Sequence, residues 1–230
     1  SQDKWDSFEH AWNLLLADGD YYDKLVTLHY NSRDHAHGSM AFIPWHRKLL
    51  YEVETKLQAL ANDCSITLPY WNSNVEAGDW WKSDALKNRR YGSLRSRTTF
   101  STKDPLHAWT TVVQFLEDVP DVRDAMAGIE QVHNLLHSYV GGDMATHYSP
   151  RDPLFFLHHN HIDHVAAWWQ DYHAHHSGLQ LDDVSGAFQQ LPPLEPWSES
   201  TGSVVSAADW IGEFDSAEGC VKVPAARPVA

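Results

Sequence analysis

The sequence predicts a mainly α-helical fold: a four-helix-bundle core with long loops and few short strands. Apolar residues recur at helical spacing along most of the first 176 residues. Strand-like pieces are few and short. Histidines cluster among apolar neighbours on several of the helical segments, so these helices should face one another.

Trp5, Phe8, Trp12 and Leu15 mark a first amphipathic helix, broken by "ADGD" at 17–20. Tyr22, Leu25 and His29 share one face of a second helical piece. "NSRDHAHGS" at 31–39 has turn-forming composition, so that helix should end near His29. Pro44 suits the start of a third, continued by Trp45, Leu49, Val53, Leu57 and Leu60 to about Ala61. "SITLPYW" at 65–71 reads as a short extended piece, and 72–104 as irregular. "LHAWTTVVQFLEDV" at 106–119 is helical and ends before Pro120. "GIEQVHNLLHSYVGG" at 128–142 is a helix stopped by Gly141 and Gly142. "SPRDP" at 149–153 opens the last long helix, running to about His176. One domain over 1–230 is expected, with its core at about 5–176 and a Gly/Pro/Ser-rich wrap or tail at 177–230.

Eleven Trp among 230 residues give ample bulk for that core. A formal net charge of −14 argues against a nucleic-acid surface. The basic cluster Lys87–Arg97 reads as a solvated loop. No run of 18 apolar residues exists, so no membrane span is expected. No signal peptide is visible; the sequence opens on Ser1 rather than Met, which fits a trimmed start. Cys64 and Cys220 read as one long-range disulfide, hence a secreted or otherwise oxidising location, against two unrelated free thiols.

Sixteen His exceed what folding needs. His133 and His137, four apart, face one side of a helix whose neighbours Ile129, Val132, Leu136 and Val140 are apolar. Two imidazoles on an inward face need a common partner, and a metal supplies one. A second cluster offers His29, His35, His37 and His46. A third offers His158, His159, His161 and His164, where helical geometry lets only one of the adjacent pair His158 and His159 face the first two. Two metals with three imidazoles each would use six of these side chains. The residues alone leave open a dinuclear copper site or a pair of zinc hydrolase-like sites.

"FIPWHR" (42–47), "EQVHNLLHSYVGG" (130–142) and "DPLFFLHHNHID" (152–163) resemble the copper signatures of the tyrosinase family, which includes catechol oxidases and molluscan-type hemocyanins. "YYDKLVTLH" (21–29) and "LPYWN" (68–72) add to the resemblance, which spans roughly residues 20–170. It implies two copper ions, one on His29, His37 and His46 and the other on His133, His137 and His159. His35 stands where some members carry a cysteine thioether-bonded to the second ligand, so no such crosslink can form. His35 is also a rival ligand. His161, His164, His173, His175 and His176 match no family role and read as exposed polar residues.

The resemblance further implies an oxidoreductase with dioxygen as co-substrate and small phenols as substrates. Monophenols would be hydroxylated at the ortho position and o-diphenols oxidised to o-quinones. Monophenols need a base, because a phenol titrates near 10. Glu130 and Asn134 would hold the water that takes that proton; otherwise Glu130 is a plain acid early in its helix and Asn134 a structural group. Phe155 would stack on a substrate ring or fill the core. Ser138, being small, would leave the entrance open. Asp163 would anchor the helix or a ligand imidazole. A catechol oxidase without monophenolase activity is the nearest alternative, and an oxygen carrier of hemocyanin type a more distant one. Many members carry a precursor domain over the site, for which 177–230 is too short and too polar. A mature form, a lineage without such a domain, or a separate guard or copper-delivery protein would each account for that.

Overall fold

A computed structural model describes residues 2–71 and 108–211. In chain order the long helices are α1 (Gln2–Ala17), α2 (Gly19–Ala36), α3 (Phe42–Ala61), α4 (Ala108–Asp118), α5 (Val122–Val140) and α6 (Leu154–His176). Two 3-10 turns, Gly142–Ala145 and Ser149–Arg151, join α5 to α6. Two short helices follow, α7 (Leu181–Phe188) and α8 (Trp197–Thr201). No strand occurs among the described residues, and 65–71, read as a short extended piece, belongs to no sheet. The basic cluster 87–97 and Cys220 lie outside the described residues. Cys64 is not a free thiol.

The core forms where the amphipathic faces meet. Trp12 of α1, Tyr22 of α2 and Phe156 of α6 are buried together, with Trp12 and Phe156 ring centroids 5.3 Å apart. The Tyr22 hydroxyl donates to the Pro150 carbonyl at 2.7 Å, so a buried phenol keeps its polar partner and ties α2 to the turn before α6. Trp169 donates its indole N–H to the Val119 carbonyl at 2.8 Å, fixing α6 to the α4–α5 connection.

Two expectations change. The stretch 31–36 is helical, not a turn, and α2 continues past His29 to Ala36. Leu25, His29, Ser32 and Ala36 are all buried at helical spacing, so packing of that face overrides the turn-forming composition of "NSRDH". His161 and His173 are buried, not exposed. His173 is held at both ring nitrogens, 2.8 Å from the Ser177 hydroxyl and 2.7 Å from the Leu116 carbonyl, and burial pushes His161 down to about 4. His175 and His176 are exposed as expected.

The segment after α6 fastens the helices that carry the histidines. Trp45 of α3 donates to the Glu195 carbonyl at 2.8 Å. Gln170 of α6 donates to the Ile211 carbonyl at 2.9 Å. Lys48 of α3 pairs with Glu52 and sits over the rings of Tyr51, Trp197 and Trp210.

Candidate metal centre

Four helices bring six imidazoles together in two groups. His29 lies on α2, His37 caps that helix, and His46 lies one turn into α3. His133 and His137 lie on α5 and His159 on α6. Within each triad, one ring nitrogen per residue falls within 4.8 Å of the others. The Nε2 of His159 is 2.9 Å from that of His133 and 3.2 Å from that of His137. The two groups abut: the rings of His46 and His159 stack at 4.2 Å.

Backbone carbonyls set the tautomer of four of the six. A carbonyl only accepts, so the ring nitrogen facing it carries the hydrogen. The Nδ1 of His29 donates to the His147 carbonyl at 2.9 Å, that of His37 to the Arg33 carbonyl at 3.2 Å, and that of His46 to the Phe42 carbonyl at 2.8 Å. The Nδ1 of His137 donates to the Met144 carbonyl at 2.6 Å. Each Nε2 then keeps its lone pair pointing inward, the form a metal requires.

The loop 141–147 is shaped for this. Gly141 has φ 71° and ψ −166°, a conformation that glycine alone adopts readily. It lets the chain leave α5 and return with the Met144 carbonyl beside His137 and the His147 carbonyl beside His29.

Burial keeps the imidazoles neutral. It pushes His29 down to about 3 and His137 down to about 4, and holds His46, His133 and His159 well below the usual histidine range. The Nε2 atoms of His29 and His46 are buried without any hydrogen-bond partner. Orphaned buried acceptors are costly, and a metal would satisfy them. Three neutral nitrogen donors in each triad, with no thiolate or carboxylate among them, fit a copper ion in each.

His35 is exposed and belongs to neither triad. His158 is fully buried against His133, their rings parallel at 5.2 Å, and contributes no nitrogen to a triad. Phe155 is also fully buried, packed 4.1 Å from the His159 ring and 5.0 Å from the His29 ring. It is a wall between the triads and does not line the open cavity.

That cavity, of about 1090 Å³, opens onto His29, His37, His133 and His137. One wall is α5, which presents Glu130, Asn134 and Ser138. Asn134 and Ser138 are exposed, whereas Glu130 is 8% exposed. One Glu130 carboxylate oxygen accepts from the Gly38 N–H at 2.7 Å, beside ligand candidate His37. Burial raises the Glu130 carboxyl, and the Gly38 hydrogen bond opposes the rise. Asp163 holds no imidazole: it accepts from Arg47 Nε at 2.6 Å, joining α6 to α3 next to His46.

Neither the Gly38 N–H nor the carbonyls of Met144 and His147 were visible in the sequence. Main-chain groups leave no residue-type signal. His159 joins its triad as the resemblance implies, but the expectation that only one of the adjacent pair faces His133 and His137 is not met: the His158 ring lies 5.2 and 5.1 Å from theirs, and the His159 ring 4.4 and 5.4 Å.

The common central domain of tyrosinase matches residues 19–121 and 83–172. The chain belongs to the tyrosinase family, and is a protein of the binuclear, type 3 copper class. A Streptomyces lincolnensis tyrosinase is 28% identical, over 82% of this chain and 86% of the relative. Hemocyanin 2 of Megathura crenulata is 28% identical over 58% of this chain, matching 5% of that much longer protein. In fold, an octopus hemocyanin functional unit superposes with a TM-score of 0.70 at 22% identity, covering 91% of this chain and 63% of the other. A polyphenol oxidase from Thermothelomyces thermophila gives 0.61 at 18% identity, covering 92% and 83%. No helix among the described residues is long and apolar enough to cross a membrane.

Proposed function

We propose that the protein is a copper-dependent phenol oxidase with tyrosinase activity. It would ortho-hydroxylate monophenols and oxidise o-diphenols to o-quinones. The observation that carries this reading is the roomy cavity reaching the imidazoles of both triads, with a buried carboxylate on its wall. His29, His37 and His46 would hold one copper; His133, His137 and His159 the other. The chemistry a copper pair supplies is two-electron redox exchange with dioxygen.

The chain's own groups do the rest. The carbonyls of His147, Arg33, Phe42 and Met144 hold four ligand rings in one tautomer. The Glu130 oxygen not taken by Gly38, together with Asn134, orders the water that receives the phenol proton. Ser138 keeps the wall low where a ring enters, and Phe155 braces His159 from behind.

An oxygen carrier needs the same imidazoles with the way in closed. The hemocyanin fold match favours that second reading, and the open cavity opposes it. Oxygen uptake by the copper-loaded protein decides. Turnover of a monophenol and a catechol supports the proposal. Catechol turnover alone makes the protein a catechol oxidase, and reversible oxygen binding with neither makes it a carrier. A Cys64–Cys220 disulfide, a secreted or other oxidising location, and a separate guard or copper-delivery protein belong to the same proposal. The mass shift on reduction under non-reducing preparation tests the first.

A further inference from the structure

We propose that Arg123 is a carboxylate-binding residue of the cavity, and that the preferred phenols carry an anionic arm opposite the hydroxyl. This rests on the phenol-oxidase reading for the orientation of the ring.

Helix α5 forms one wall of the cavity along its length. Arg123, Met126, Glu130, His133 and His137 recur at three-, four- and seven-residue steps, so they fall along one face. Arg123 is at the outer end and the ligand histidines at the inner. Ten residues separate Arg123 from His133, about 15 Å along the axis at 1.5 Å per residue. A phenol with its oxygen at the histidines and a carboxylate on a short para arm extends over much of that length. The flexible arginine side chain covers the remainder.

Charge singles out the same residue. Among the described residues that line the cavity, only Arg123 carries a permanent positive charge, and only Glu130 a carboxylate. Glu130 is deep and bonded to Gly38. Arg123 is exposed and forms no ion pair with a carboxylate among the described residues. The two acids beside it in sequence are otherwise placed. Asp121 accepts from the N–H groups of Arg123 and Asp124 as the helix cap, and Asp124 points about 100° round the helix. A net charge of −14 repels anions at long range, so capturing one takes a local cation. A guanidinium offers a carboxylate two parallel hydrogen bonds.

The test uses the copper-loaded full chain and two probes, 3-(4-hydroxyphenyl)propionate and its uncharged amide, with binding followed by equilibrium dialysis. The parent should bind the carboxylate roughly three- to tenfold more tightly than the amide, the range expected of an exposed charge pair with good geometry. Arg123→Gln should abolish that preference, Arg123→Glu should invert it, and Arg123→Lys should keep part of it. A preference that persists in Arg123→Gln overturns the proposal. So does a parent that binds both probes equally, or neither. Oxidation of 4-methylcatechol by the parent is scored separately: its absence sinks the phenol-oxidase reading, while the binding ratio still judges Arg123.

Discussion

At the scale of single residues, five of the six candidate ligand imidazoles are buried and His37 is half-buried, while the groups that would act on substrate stand on one wall. Glu130 combines burial with a single backbone hydrogen bond, which leaves a carboxylate oxygen for water. Glu130→Gln is expected to lower monophenol hydroxylation about a hundredfold, the lower range for a positioned base, with a much smaller loss on catechols. Steady-state rates on a matched monophenol and catechol check this, and equal losses would remove the base role. The grouping into two triads was legible: residue type and the four-residue step from His133 to His137 pointed to a metal helix, and the family resemblance picked the six histidines that the fold brings together. Their tautomers were not, because they depend on the carbonyls of Met144 and His147, which any residue could supply.

At the scale of elements, the site depends on how α3, α5 and α6 are held together. The Arg47–Asp163 pair joins α3 to α6 beside His46, and Arg47 also donates to the Trp210 carbonyl at 3.1 Å. Asp163→Asn should cost about 1–3 kcal/mol, as for a hydrogen bond to a charged group, and should weaken copper retention. Denaturant titration and dialysis against a chelator measure the two effects; unchanged values in both would mean the pair is incidental. Gly141→Ala should cost about 1–3 kcal/mol from its backbone conformation alone. It should also loosen His137, read as a lower affinity for one of two copper ions. The long helices were legible from their apolar spacing. The C-terminal half of α2 was not, because "NSRDH" favours turns and only the burial of Ser32 and Ala36 in the assembled fold outweighs it. The straps after α6 were not legible either, since Trp45 and Gln170 reach carbonyls 150 and 41 residues away.

At the scale of the whole molecule, the buried histidines make the metal-free protein sensitive to acid. His29 titrates at about 3, and His137 and His161 at about 4, against about 6.5 in an unfolded chain. Between those values the unfolded state binds more protons than the folded one, so stability falls as pH drops from about 6.5 toward 4. Melting temperatures of the metal-free protein at pH 7, 6 and 5 should decline in that order, and a flat profile would mean that these imidazoles protonate without unfolding. The most direct measurement is copper content after reconstitution and removal of loose metal. Two triads call for two copper ions per chain in the parent. A His133→Ala/His137→Ala variant that keeps its helical circular dichroism should hold one. A parent that holds one copper or none, or a variant that still holds two, would contradict a copper pair shared between these six histidines.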